Sequence, residues 1–221
     1  MTELILSDGF AEREHVLLLA HGSGAPPTSA FMTAFTGALA GHSIGIARFA
    51  FTYMAGIMAG GPRRPPPSAE RLVDEFASAV EATRKVARGG AVLAMGGKSL
   101  GGRVATLLAA RPSRRAGDDQ IAGCVCLGYP FHPQGQPAKL RIAHFSDVRC
   151  PLLIVQGTRD PFGTADEVAG YDLPDAIRTV WLEDGDHDFK PRVRSGFTSD
   201  QHIATAASET ADFMRSLRGS R

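Results

Sequence analysis

One serine of the sequence, Ser99, lies in a run of glycines that follows a short apolar segment. The run at 96–102 reads GGKSLGG, and the preceding residues, 91–95, read AVLAM. A helix-like segment comes next and should end before Pro112. The pattern GxSxG is common on its own, but a strand before it and a helix after it are typical of a nucleophile elbow, which exposes the serine hydroxyl above a helix N-terminus. The sequence therefore predicts that Ser99 is a nucleophile.

A serine hydroxyl attacks a carbonyl carbon only when a base takes its proton and a carboxylate orients that base. After an elbow of this kind the acid and then the histidine follow, each in the loop after a later strand. Asp160 comes directly after the apolar segment 151–157, in QGTRDPFG. His187 follows the last predicted strand, 178–183, in DGDHDF. We therefore predict a triad of Ser99, Asp160 and His187.

Charged neighbours of these residues leave two questions open. Asp184, Asp186 and Asp188 are too close in sequence to His187 to be the usual orienting acid, although they could tune it. Lys98 precedes the nucleophile and could favour an anionic substrate, but a solvated side chain is the expectation we prefer.

The tetrahedral intermediate of acyl transfer also needs hydrogen-bond donors aimed at its oxyanion. One predicted donor is the backbone N–H of Leu100, the residue after the nucleophile. The other is the N–H of Ser23, with Gly24 next in line, in the segment HGSGAPP after the apolar run 15–20. We expect His21 to shape this loop through hydrogen bonds rather than to act as an acid or base.

Substrate selection should come from loops at the strand ends. Gly24, Tyr53, Tyr129 and Phe162 are the predicted substrate-binding residues, and together they would form a small, mostly apolar acyl pocket. Ordinary packing of these aromatic rings beneath the loops is an equally good interpretation. The chemistry predicts no metal ligand and no cofactor.

Apolar segments with strand and helix periodicity alternate along the chain. The predicted strands are 15–20, 43–51, 91–95, 121–129, 151–157 and 178–183, and the helices include one that follows Ser68 and one near the C-terminus. Such alternation predicts an α/β fold with a mostly parallel central sheet and helices on both faces. We expect residues 1–221 to form a single domain. The proline-rich segment 62–67 is interpreted as a surface loop.

The composition indicates which classes of binding partner to expect. The net charge is +1 and 21% of the residues are charged, so we expect binding to neither nucleic acid nor membranes. The three cysteines favour a reducing compartment over a disulfide framework, and the N-terminus lacks a signal peptide pattern. We therefore predict a cytoplasmic monomer or homodimer that acts on a small-molecule ester.

Five segments together resemble the α/β-hydrolase superfamily, in particular its small lidless branch around dienelactone hydrolase and the carboxylesterases. They are HGSGAP, GGKSLGGR, LGYPF, LLIVQGTRDPFG and DGDHDFKP, in this order. The set is most similar to an uncharacterised bacterial group related to a eukaryotic chromatin-complex subunit and a testis-expressed protein. This resemblance implies the α/β-hydrolase fold, the triad and the oxyanion loop, but no particular substrate.

Two departures from the dienelactone hydrolases refine this expectation. Their nucleophile is a cysteine, whereas Ser99 favours ordinary ester chemistry. The segment between the strands 121–129 and 151–157 is too short for a helical cap. The sequence thus predicts a serine hydrolase for a small carboxylic ester or thioester, with amide hydrolysis and acyl transfer open. The alternative is an interaction module that retains the fold without using its activity.

Overall fold

The strands are nearly continuous apolar runs because helices cover the sheet on both faces. The computed structural model describes residues 2–112 and 121–218. The strands in these residues are β1 (Ile5–Leu6), β2 (His15–Ala20), β3 (Gly45–Phe49), β4 (Val92–Lys98), β5 (Gly123–Leu127), β6 (Leu152–Gly157) and β7 (Ile177–Leu182). They form one sheet in the order β1-β3-β2-β4-β5-β6-β7. Only β1 is antiparallel to its neighbour within this described sheet.

The helices pack in two layers on the sheet. They are α1 (Ala30–Ala40), α2 (Thr52–Met58), α3 (Ala69–Val86), α4 (Leu100–Ala109), α5 (Ala165–Val168) and α6 (Ser199–Ser216). Helices α1 and α6 contact each other on one face, and α3 and α4 contact each other on the opposite face. Across residues 2–112 and 121–218, no helix has the length and apolar character needed to cross a membrane.

Strand β2 shows how the sheet separates two apolar cores. Leu17 and Leu19 face the core that contains Phe35 of α1, whereas Leu18 faces the core that contains Phe76 of α3. All five side chains are fully buried. This alternation follows from the extended backbone, in which successive side chains point to opposite faces.

The cysteines behave as small apolar side chains, as the sequence predicts. Cys124 and Cys126 are buried in the same core on one face of β5, and all three cysteines are free. Burial raises the pKa of the half-buried Cys150 to about 12, so its thiol stays protonated at neutral pH.

No cap domain is inserted before β6. Between β5 and β6 the only helical segment is the 3₁₀ helix Phe145–Asp147, and every residue from 128 to 151 is described. The architecture is a mostly parallel sheet with helices on both faces and no cap, in agreement with the fold predicted from the sequence.

Among the strands and α-helices, β1, α2 and α5 were not predicted, and one strand is longer than expected. Strand β1 has two residues and α5 has four, too few for a periodic pattern. Helix α2 begins at Thr52, and the Phe51 side chain at its N-cap makes no hydrogen bond. Strand β4 extends beyond the predicted 91–95 into the glycine run. Glycine is required there because a Cβ on Gly96 would lie 2.0 Å from the carbonyl oxygen of Val125 on β5.

Candidate active site

Ser99 lies between β4 and α4 in a strained backbone conformation. Its φ of 51° and ψ of −111° are rare for a residue with a side chain. A Cβ on Gly97 or on Gly101 would lie 2.5 Å from the carbonyl oxygen of Ala20 on β2. Only glycine therefore fits two residues before and two residues after the serine, as the elbow interpretation requires.

The N-terminus of α4 lies directly behind this serine. The Ser99 N–H donates to Leu127 O at 3.0 Å, and the Ser99 carbonyl accepts from Arg103 N at 3.0 Å. Leu100 is the first residue of α4, so its N–H has no acceptor within the helix. Among the described residues no other group accepts it either. This N–H is therefore free for an oxyanion.

The loop after β2 is shaped by His21, which is fully buried. Its Nε2 accepts from Phe51 N at 3.2 Å, so the ring proton is on Nδ1, which lies 2.6 Å from Gly22 O. Burial lowers the pKa of His21 and keeps the ring neutral. His21 thus hydrogen-bonds across this loop, as the sequence predicts.

Tyr53 holds the same loop from α2. Its hydroxyl donates to Ser23 O at 3.1 Å, and burial together with the charge of Glu75 raises its pKa to about 12. Ser23 and Gly24 are exposed. A Cβ on Gly22 would lie 3.8 Å from the Ser99 Cβ, which places the loop beside the serine. Tyr53 therefore positions the loop that carries the second candidate oxyanion donor.

Asp160 follows β6 and is fully buried beside His187. Its Oδ2 lies 2.7 Å from His187 Nδ1 and accepts a second hydrogen bond from Gln156 Nε2 at 2.9 Å. Its Oδ1 accepts from Phe162 N at 2.9 Å. The structure thus brings together the two residues that the sequence singled out as acid and base, and fixes both carboxylate oxygens.

Gln156 is a site residue that sequence reasoning missed. It lies inside β6, is fully buried, and its Oε1 accepts from Tyr129 N at 2.7 Å. Its Nε2 approaches Tyr129 O at 3.1 Å and Gly163 O at 3.2 Å in addition to Asp160. One signal was present, because this is the lone polar residue in the apolar run LLIVQG. A buried amide needs hydrogen-bond partners, and here those partners position the loop that carries Asp160.

The other carboxylates near His187 hold its loop together. Asp186 Oδ1 accepts from the N–H groups of Asp188 and Lys190, each at 2.9 Å. Asp184 pairs with Arg192 through both the main chain and the guanidinium, and hydrogen bonds from Arg192 hold the pKa of Asp184 well below its usual range. These contacts turn both carboxylates toward their own loop.

Lys98 is not solvated, which corrects the expectation that we preferred. Its side chain is buried, and Nζ donates to the main-chain oxygen of His187 at 2.7 Å. The Ser99 hydroxyl itself makes no hydrogen bond with any described residue. Lys98 therefore makes a direct polar link from β4 to residues 183–190, the segment that carries His187 and is called the base loop below.

The aromatic residues predicted to bind substrate fall into two groups. The Phe162 ring is half-buried and lies 4.5 Å from the His187 ring, centre to centre. Tyr129 is fully buried between Phe131 and Phe145, and its hydroxyl donates to Arg141 O at 2.7 Å. The Tyr129 ring thus packs in the apolar core, which is the second of the two interpretations that the sequence left open.

A strained serine at a strand–helix turn and a buried Asp–His pair, at the carboxyl end of one parallel sheet, define the class of α/β hydrolases. A family model described as an alpha/beta hydrolase domain matches residues 13–215, and the chain belongs to this family.

Solved structures extend the likeness over nearly the whole chain. Est1E from Butyrivibrio proteoclasticus, in a structure with bound ferulic acid, has a TM-score of 0.68 at 15% identity, and the match covers 97% of this chain and 94% of that one. Dienelactone hydrolase from Anabaena variabilis has a TM-score of 0.67 at 18% identity, with 97% and 91% covered. A serine hydrolase without a lid from Xanthomonas campestris has a TM-score of 0.65 at 17% identity, with 100% and 90% covered. At such identities the likeness concerns the fold.

Proposed function

We propose that the protein is a serine hydrolase that cleaves a small carboxylic ester or thioester through an acyl-enzyme on Ser99. The observation that carries this proposal is the hydrogen bond between His187 Nδ1 and the fully buried Asp160, on the loops that follow β7 and β6. An aspartate in this position fixes the proton on Nδ1 and leaves Nε2 free to accept another.

The reaction has two halves. Ser99 Oγ bonds to the carbonyl carbon while His187 Nε2 takes the hydroxyl proton, and Asp160 stabilises the imidazolium that forms. The carbon–oxygen or carbon–sulfur bond then breaks, and His187 returns the proton to the leaving alcohol or thiol. In the second half His187 takes a proton from a water, whose oxygen bonds to the acyl carbon. The bond from that carbon to Ser99 Oγ then breaks, and His187 returns the proton to Ser99 as the carboxylic acid leaves.

The oxyanion of each tetrahedral intermediate would be bound by two main-chain donors. One is the free N–H of Leu100 at the positive end of α4. The other is the N–H of Ser23, on the loop that His21 and Tyr53 hold beside the serine. Because these donors are fixed before substrate binds, they stabilise charge in the transition state without reorganisation.

A small substrate is favoured by the absence of a cap between β5 and β6. Phe162 and the exposed Gly24 are the proposed substrate contacts. The neighbour Est1E holds ferulic acid, which is a carboxylic acid, the class of product that this reaction releases. Amide hydrolysis and acyl transfer would proceed through the same acyl-enzyme.

We propose that the protein works as a monomer or homodimer in the cytoplasm, a setting that suits its three free cysteines.

Labelling by a fluorophosphonate probe, together with hydrolysis of p-nitrophenyl butyrate, tests this proposal. The wild-type protein should be labelled and should turn over the ester, whereas Ser99→Ala should do neither while it keeps its thermal unfolding transition. Absence of both labelling and turnover in folded wild-type protein would contradict the proposal and favour a binding module that retains the fold.

A further inference from the structure

Lys98 connects the two chain segments that carry the proposed nucleophile and base. It precedes Ser99 directly, and only 7% of its side-chain surface is exposed. Its Nζ donates to the main-chain oxygen of His187, a residue 89 positions later in the sequence, at 2.7 Å. One side chain thus joins the main chain of the serine strand to the main chain of the base.

The ammonium group occupies a closely fitted site with contacts from three elements. The Phe31 ring of α1 lies 5.1 Å from Nζ, and Asp188 Oδ1 lies 3.4 Å away on the base loop. A Cβ on Gly128 would lie 3.1 Å from Nζ and 3.0 Å from His187 O. Gly128 has a φ of 67° and follows β5, so a residue with a side chain would both strain the turn and crowd this contact.

Burial and the neighbouring carboxylates shift the pKa of Lys98 in opposite directions. Burial lowers the pKa of Lys98, and the carboxylates of Asp188, Asp160 and Asp186 act in the opposite direction. Because the charged form is desolvated, the cost of burying the ammonium offsets much of its attraction to these carboxylates. The contacts of Lys98 therefore contribute less to the stability of the fold than their number suggests.

We propose that Lys98 is a positioning residue, which sets the distance between the His187 imidazole and the Ser99 hydroxyl by holding the base loop against the nucleophile strand. This inference rests on the proposed function. It differs from a role in binding an anionic substrate, because the buried ammonium already donates to His187 O and contacts Asp188. Lys98 should consequently act on kcat rather than on KM.

Lys98→Met tests this role, since methionine keeps the unbranched shape but has neither the charge nor the N–H donors. A misplacement of about 1 Å between reacting groups lowers turnover by about 10²-fold, and we expect a loss of this size in kcat. The KM for p-nitrophenyl butyrate should stay within about threefold, and the melting temperature should fall only slightly, because His187 O loses its donor while Asp188 stays exposed to solvent. A purely structural lysine would instead show a marked fall in melting temperature with kcat preserved.

Two outcomes of this experiment would overturn the inference. The first is a folded Lys98→Met protein with kcat within about threefold of wild type. The second is a loss confined to KM and larger for a hemisuccinate ester than for a neutral ester, which would assign Lys98 to substrate binding. If wild-type protein has no Ser99-dependent turnover at all, the proposed function fails, and that result is distinct from both.

Two variants of exposed residues test the contact between Lys98 and the base loop without changing a buried residue. Asp188→Lys places a second cation beside the Lys98 ammonium and should push the base loop away, so we expect kcat to fall at least about tenfold. Glu183→Lys is the matched control, because it makes the same charge change at an exposed position four residues before His187. Equal kcat values for these two variants would contradict the positioning role, even if Lys98→Met did not fold.

Discussion

Replacing Asp160 by asparagine tests the assignment of the acid against its neighbours. The wild-type carboxylate accepts three hydrogen bonds, from His187 Nδ1 and Gln156 Nε2 at Oδ2 and from Phe162 N at Oδ1. An asparagine has one oxygen and one NH₂ group. Because N–H groups face both positions of the wild-type carboxylate, the NH₂ group meets another donor in either orientation of the amide. With the NH₂ group toward His187, Nδ1 must accept, and the ring proton moves to Nε2, which can then no longer take the Ser99 proton.

The opposite orientation keeps an oxygen toward His187 but removes the negative charge that stabilises the imidazolium. Loss of the orienting carboxylate lowers kcat by about 10³–10⁴ in a triad. At about 1.36 kcal/mol for each tenfold change, this corresponds to about 4–5.5 kcal/mol of transition-state stabilisation. The unpaired donors at this buried site should also lower the free energy of unfolding by about 1–3 kcal/mol.

Asp186→Asn and Asp188→Asn are the matched controls, because they make the same chemical change on either side of His187. Asp186 accepts only from N–H groups of its own loop, and Asp188 is exposed. Each should lose less than about tenfold in kcat/KM for p-nitrophenyl butyrate, measured with folding monitored by circular dichroism. If Asp186→Asn lost kcat/KM by about 10³-fold or more while Asp160→Asn kept the wild-type value, the assignment of Asp160 as the acid would be refuted.

Three further predictions concern substrate size, the elbow and the base loop. Acetyl and butyryl p-nitrophenyl esters should have a higher kcat/KM than the palmitoyl ester, because no cap shields a long chain; a preference for palmitoyl would contradict this. Ser99→Ala should leave the melting temperature unchanged or raised, since the strained elbow serves chemistry rather than stability, and a marked fall would argue against it. Asp184→Asn should lower the melting temperature at pH 7, because the lowered pKa of Asp184 stabilises the folded state above the unfolded value of about 3.9. The difference from wild type should shrink as the pH falls below about 4, and a difference independent of pH would show that the ion pairs of Asp184 are not its source.

The sequence alone allowed the sheet and the order of the site residues to be predicted, because both are encoded locally. The apolar run at β2 and the glycines around Ser99 each have a strong signal within about ten residues. Asp160 and His187 could be chosen because each directly follows a predicted strand. The structure then places these two side chains 2.7 Å apart.

Features that depend on distant contacts could not be predicted in this way. Lys98 looks like a solvated lysine in its own segment, and only its contact with His187 shows that it is buried. Tyr129 follows a strand end, as a pocket residue would, but its ring packs into the core from the segment after β5. Helix α2 lacks an N-terminal capping side chain, so its start had no local marker.

Trapping of the acyl-enzyme is the most direct test of the account. Wild-type protein mixed with p-nitrophenyl acetate and quenched in acid within the first turnover should carry one acetyl group, and fragmentation should locate it on Ser99. Ser99→Ala should carry none under the same conditions, while His187→Ala should acylate far more slowly. An acetyl group on another residue, or steady turnover of the ester by folded Ser99→Ala, would contradict the assignment of Ser99 as the nucleophile.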